Sequence, residues 1–205
     1  MQGFIVNLNR VKEEDLIVTI VSRQNLDTLY RFYGARHSVI NLGYKIDYEK
    51  EYSSKSSIAR LKDVIHIGYP WINDMQRLKL WQDFTALFYK HLKEIEDLHS
   101  FYFDLLEEAS LFWNKKNPKR VAIESYVKLL EFEGRLHKEL VCFLCSQHIQ
   151  TQVSLIRAYL PTHYECSNRL GISQKAFYEL CENNSTLFMD DKEVDILWYT
   201  LLEGL

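Results

Sequence analysis

The chain has 205 residues, 47% of them apolar, with only 7 glycines and 3 prolines, which excludes global disorder and a collagen-like repeat. Its 25 basic and 28 acidic residues give a net charge of −3, so it is no histone-like polycation, although local basic patches are compatible with that total. No apolar run reaches roughly 18 residues, so no transmembrane span is expected, and at roughly 150 residues per domain the length fits one large domain or two small ones.

The start, Met1-Gln2-Gly3-Phe4, lacks a basic region followed by an apolar stretch and a small-residue cleavage site. It reads as a mature cytosolic start. Four cysteines in that reducing compartment are then not expected to form disulfides, and their spacing matters more than their number. Charge is uneven. Residues Met1 to Pro70 carry 10 basic and 8 acidic side chains, net +2, and Trp71 to Leu205 carry 15 and 20, net −5. Lys115 to Leu140 is locally positive, and the tail from Glu182 is acidic.

Residues 2 to about 69 show strand periodicity. Phe4, Val6 and Leu8 alternate with Ile5, Asn7 and Asn9, and Leu16 to Val21 is a β-branched apolar run. Leu26, Thr28, Tyr30 and Phe32 form a period-2 set, as do Leu42, Tyr44, Ile46 and Tyr48, then Leu61, Ile65 and Ile67. Five short strands joined by polar turns predict a small barrel. An OB-type barrel is the economical choice, because closure removes exposed edges, and an SH3-like barrel is its competitor.

After Pro70 the period becomes 3.6. Asn73 or Asp74 can cap a helix with Leu78, Trp81, Phe84, Phe88, Leu92 and Ile95 on one stripe. A second helix carries Phe101, Leu105, Leu106, Ala109 and Trp113. Asn117-Pro118 starts a third, with Tyr126, Leu129, Leu130, Glu133 and Leu136. Ser173 and Asp190 or Asp191 can cap two more. The expected class is α+β: a barrel domain over 1–70, then an α-helical domain over 71–205.

Inside that second half lies Cys142-Phe-Leu-Cys145 and, after seventeen intervening residues, His163-Tyr-Glu-Cys166. Two tight turns, each offering two ligands, are what a tetrahedral structural zinc site needs. The expected metal ligands are Cys142, Cys145, His163 and Cys166, in a module at about 141–168. His148 is a spare candidate, and Cys181 reads as a core cysteine. His137-Lys-Glu139 ahead of Cys142 superficially resembles a zinc deaminase. In those enzymes the gap between the two elements is longer and a proline precedes the cysteine, whereas Val141 stands here. No other catalytic motif appears, so a binding protein is expected rather than an enzyme.

The segment Tyr30-Arg-Phe-Tyr-Gly-Ala-Arg-His-Ser38 mixes cations and rings. With Tyr30 and Phe32 inward, Arg31 and Tyr33 face outward, and Gly34 allows a turn that presents Arg36 and His37. Lys45 lies outward on the next strand, and Lys55, Arg60 and Lys62 lie near the fifth. Cations that hold phosphates beside a ring that stacks a base make a surface for single-stranded nucleic acid, with an affinity that falls steeply with salt. The basic stretch Lys115 to Arg120 reads as a solvated helix start.

The chain resembles the RecO family of bacterial DNA-repair mediators. Gly3-Phe-Ile-Val6 with Glu14-Asp-Leu-Ile-Val-Thr19 is similar to that family's opening hairpin, and Gly34-Ala-Arg36 to its turn. The C-x2-C in a helical region is similar to its zinc-bearing members, with His163 where a fourth cysteine would stand. The resemblance implies an OB fold, a helical C-terminal domain with a structural zinc module, and binding of single- and double-stranded DNA. It further implies annealing of complementary strands and partnership with RecR, with single-stranded DNA-binding protein and with RecA. It places Arg31, Arg36 and Lys45 in the barrel region facing DNA, and the protein in the cytoplasm with the nucleoid. The alternative from another class is a zinc-stapled protein-interaction scaffold that does not touch DNA.

Overall fold

The computed structural model describes residues 1–54, 56–95 and 97–205, which form two compact units, Met1–Asn114 and Lys115–Leu205. In the first unit five strands, β1 (Gln2–Arg10), β2 (Leu16–Ser22), β3 (Leu26–Arg31), β4 (Lys45–Glu51) and β5 (Arg60–Ile67), close a barrel in the order β1-β2-β3-β5-β4. Closure is made by β1 against β4, with Gly3 opposite Ile46, and by a parallel contact of Tyr30 on β3 with Arg60 on β5. On its other side β1 comes close to β2 at Gly3 because that residue has no side chain. A Cβ there would lie 2.4 Å from Ile20 Cγ2 and 2.9 Å from the Val21 carbonyl oxygen.

Ile5, Val18, Ile20, Leu29, Ile46, Tyr48 and Leu61 fill the barrel. Three strands depart from the predicted alternation. On β1 the register shifts between Ile5 and Asn7, so Ile5 and Leu8 share the barrel side and Phe4 faces out. On β3 the inward residue is Leu29, so Arg31 also points in, while Thr28, Tyr30 and Phe32 line the outer face. The expected orientation was therefore inverted, which is what a one-residue change of phase does to a strand. The polar inward residues find partners, although Arg31 Nε is buried without one among the described residues. Asp27 accepts from the Tyr48 hydroxyl at 2.7 Å and Lys50 at 2.6 Å, and Arg31 Nη1 donates to the Leu61 carbonyl at 2.8 Å. On β5, Asp63 has φ +46° and the β4–β5 register shifts between Asp47 and Glu49, so Leu61 is buried but Ile65 is exposed.

Two helices complete the first unit: α1 (Met75–Leu92) and α2 (Phe101–Phe112). Asp74 caps α1 through the amides of Gln76 and Arg77, both at 3.1 Å. Phe4, on the outer side of β1, packs against Trp81 at 6.2 Å and Phe103 at 5.3 Å. Trp81 meets Trp113 at 4.9 Å, and its indole donates to the Gly43 carbonyl at 2.7 Å. The compact unit thus runs to Asn114. The change of period marks where strands give way to helices, but the barrel's outer apolar face needs both helices to cover it.

The second unit holds α3 (Pro118–Phe132), β6 (Val153–Ile156), β7 (Leu160–Thr162), α4 (Tyr164–Ser167), β8 (Gly171–Ile172), α5 (Gln174–Asn183) and α6 (Asp191–Leu201). The expected caps are in place: Asn117 on α3, Ser173 on α5, and Asp190 on α6 in a capping box with Glu193. Tyr126 of α3 packs edge-on against Tyr159 at 4.8 Å, and the Tyr159 hydroxyl donates to Leu197 of α6. Cys181 is buried as expected. The sheet β7-β6-β8 was not foreseen, because runs of two to four residues carry no readable period. Among the described residues, no helix is long and apolar enough to cross a membrane.

Candidate metal centre and nucleic-acid interface

The metal centre is built from two turns. Val141 bridges to His148, and Cys142 N–H donates to the Gln147 carbonyl at 2.9 Å, closing a short ribbon. Ser146 turns the chain at φ +58°, and its amide returns to the Cys142 carbonyl at 2.8 Å. Phe143 N–H donates to the Pro161 carbonyl, which ties this turn to β7. Directly after β7, His163 stands at the start of α4 and Cys166 lies one turn on, its amide bonded to the His163 carbonyl.

The result brings one donor atom each from Cys142, Cys145, His163 and Cys166 within 4.8 Å of one another. Tetrahedral zinc with Zn–S near 2.3 Å sets its sulfurs about 3.8 Å apart, so the donors need only contract slightly around an ion. His163 Nδ1 lies 3.4 Å from Cys145 Sγ and 3.8 Å from Cys166 Sγ. Its other ring nitrogen faces the His148 carbonyl at 3.2 Å. That bond fixes the tautomer and leaves Nδ1 as the free lone pair, the arrangement metal-binding histidines use. His148 thus contributes its backbone oxygen, and its side chain is not in the donor group.

Electrostatics separate the thiols. Burial pushes Cys142 up, but amides of His163, Cys145 and Leu144 outweigh it and hold the thiol down at about 6. A bond with the Cys145 side chain, then desolvation, pushes Cys166 up to about 11. The His148 carbonyl raises His163. The four residues could hold one metal ion. An ion held by all four would be surrounded by protein atoms, with no position left for water.

The barrel residues singled out in the sequence do not form one patch. Arg31 is turned inward, as described above. Lys45 does leave the barrel outward, but α2 covers it there. Its ammonium pairs with Glu107 at 2.6 Å and sits over the rings of Phe4 and Phe103, beside a cleft of about 420 Å³. Lys55 lies outside the described residues. The remaining residues, Tyr33, Arg36, His37, Arg60 and Lys62, are on the outer face or its adjoining turn, and the exposed ring of Phe32 joins them.

Asp15 organises this ledge. Its carboxylate accepts the Tyr30 hydroxyl and the Tyr33 amide, the latter at 2.8 Å, and so holds Tyr33 at φ +51° before the Gly34–Arg36 turn. These bonds, the Tyr30 hydroxyl foremost, lower the Asp15 carboxyl below its usual range. Arg60 lies 5.0 Å over the Phe32 ring and Arg36 lies 5.4 Å over Tyr33. Each cation also has an acid: Arg36 pairs with Glu14, and Arg60 and Lys62 share Glu51. In the second unit Lys119 pairs with Asp195 and Arg120 donates to the Thr186 and Met189 carbonyls, so the Lys115 to Arg120 stretch is largely spent on internal bonds.

Residues 1–72 match the family model described as RecO N terminal. Over these residues the barrel is similar to a RecO N-terminal domain. The resemblance read from the sequence is thus borne out over the barrel, and the OB-type fold with it. The match supports a RecO-like role in DNA repair, and the ledge lies within the RecO-type segment. No curated protein matches the chain.

Sequence reasoning missed Phe32, Asp15, Glu14 and Glu51. Phe32 was assigned to the core because three of the four residues in its phase are apolar. Leu29 in the opposite phase was the signal that could have corrected it.

Proposed function

We propose that the chain is a DNA-repair mediator that binds single- and double-stranded DNA, anneals complementary strands and, with RecR, helps load RecA. It does so by binding energy alone, without catalytic turnover. The observation that carries this reading is the RecO-type barrel with its cation-capped rings on one outer ledge. Zinc is the metal the Cys3His donor set fits best, since thiolates and imidazole suit it and the closed shell suits a structural role. The ion would lock the two turns together. Contacts with single-stranded DNA-binding protein and residence in the cytoplasm at the nucleoid belong to the same proposal.

A protein-interaction scaffold is the second reading. The engagement of the ledge cations by Glu14 and Glu51 speaks for it, since paired cations attract phosphate less. Annealing of two labelled complementary oligonucleotides separates the two. The mediator reading expects acceleration that is lost when Arg36 and Arg60 are both changed to Glu. No acceleration, and no binding of either strand by anisotropy even at low salt, would leave the scaffold.

A further inference from the structure

Four cations singled out in the barrel sequence already have carboxylate partners, and this changes what the ledge can recognise. Across the outer face the order is Phe32 at the end of β3, Arg60 on β5, then Glu51 on β4, which also holds Lys62 from β5. Glu51 therefore stands between two cations where a phosphate would otherwise sit. Glu14 does the same for Arg36. By contrast, the two rings keep open faces: Phe32 is 46% and Tyr33 58% exposed, consecutive in the chain, each under one guanidinium. Tyr30 buttresses Phe32 edge-on at 4.8 Å, and Asp15 anchors both tyrosines, so the rings are held in place before any ligand arrives.

We propose that Phe32 and Tyr33 are a stacking ledge for unpaired bases, and that Glu14 and Glu51 stand in for phosphates and keep the ledge cations neutralised until a single strand displaces them. This rests on the nucleic-acid reading of the barrel and specifies its substrate. Rings reach only bases that are not already stacked in a duplex, and stacking is tolerant of sequence. Charge contributes little to choosing a ligand, because every phosphate that takes Arg60 or Arg36 must first displace a carboxylate. Fewer counterions are then released than the number of basic side chains suggests. The steep salt dependence expected from the sequence gives way to a shallow one.

The test is anisotropy with the full chain, a labelled oligothymidine and a labelled duplex of equal length, across a salt series. Phe32→Ala should weaken single-strand binding by about 5- to 100-fold and leave duplex binding nearly unchanged. Phe32→Leu, which keeps apolar bulk, should show the same loss, separating stacking from simple burial. Glu51→Gln should tighten single-strand binding several-fold at low salt and steepen the salt slope by about one phosphate's worth. If the wild-type chain binds the single strand steeply with salt and Phe32→Ala and Glu51→Gln change nothing, the stacking ledge is wrong while DNA binding stands. If the wild-type chain binds neither probe at any salt, the nucleic-acid reading itself falls, and this inference with it.

Discussion

The barrel unit and the loop that carries the metal ligands hold their shape by different means. Around the barrel, Phe4, Trp81, Phe84, Phe88 and Trp113 are fully enclosed, and every strand pairs on both sides. Between Val141 and Gln152, only Cys142 and Ile149 are buried, while Val141, Phe143 and Leu144 face solvent. A loop with so little apolar burial cannot offset its chain entropy by the hydrophobic effect. An ion held by the four converging residues would replace the missing core, because binding an ion and ordering the loop are one linked process. The lesson is that the two regions should fail under different insults.

The largest effect should come from breaking the metal set. Cys142→Ser, or a strong chelator, should strip hydrogen-exchange protection from residues 140–168 and abolish metal by elemental analysis, while the barrel amides keep theirs. Barrel protection lost in step with the loop would contradict the contrast.

The converse insult is a cavity. Leu61 is enclosed in the barrel, so Leu61→Ala should cost about 2–5 kcal/mol of the barrel's stability by denaturant melts. Metal content should remain that of the parent chain. A metal loss accompanying this variant would show that the two regions do not fail independently.

Those two regions also differ in how far they could be read in advance. The metal set was legible because its information is local: two short spacings place two ligands on each turn, whatever surrounds them. The barrel's strands were legible too, but not which residues faced in. Arg31 and Asp27 lie inward, where the barrel provides the Leu61 carbonyl for one Arg31 nitrogen and the side chains of Tyr48 and Lys50 for Asp27, partners that are distant in sequence. Ile65 was lost to the left-handed kink at Asp63, and Lys45 to a helix more than fifty residues away. Non-local partners decide such cases, and a period count contains none.

A smaller effect sharpens the contrast within the barrel itself, between its covered and its open faces. Lys45→Met removes an ammonium held by Glu107 under α2 and leaves that partly exposed carboxylate without its cation. It should cost about 1 kcal/mol in denaturant melts and leave single-strand affinity unaltered. A loss of affinity with full stability would return Lys45 to the DNA-binding face.

The smallest effect is a pH dependence of the open ledge. Asp15 has its pKa lowered in the folded chain, so its contribution is fully present above the unfolded carboxylate value and is lost as pH falls through the lower folded value. Nuclear magnetic resonance of the Tyr30 and Tyr33 signals should move only at that acid end, and Asp15→Asn should abolish the movement. Movement near neutral pH instead would mean that another group anchors the ledge.

The most direct measurement is photo-crosslinking of the full chain to a single-stranded oligonucleotide carrying iododeoxyuridine, with adducts mapped by mass spectrometry. The account predicts adducts on Phe32 and Tyr33, with none on Lys45 or Arg31. Adducts confined to other surfaces, or a strand that binds without marking the ledge, would contradict it.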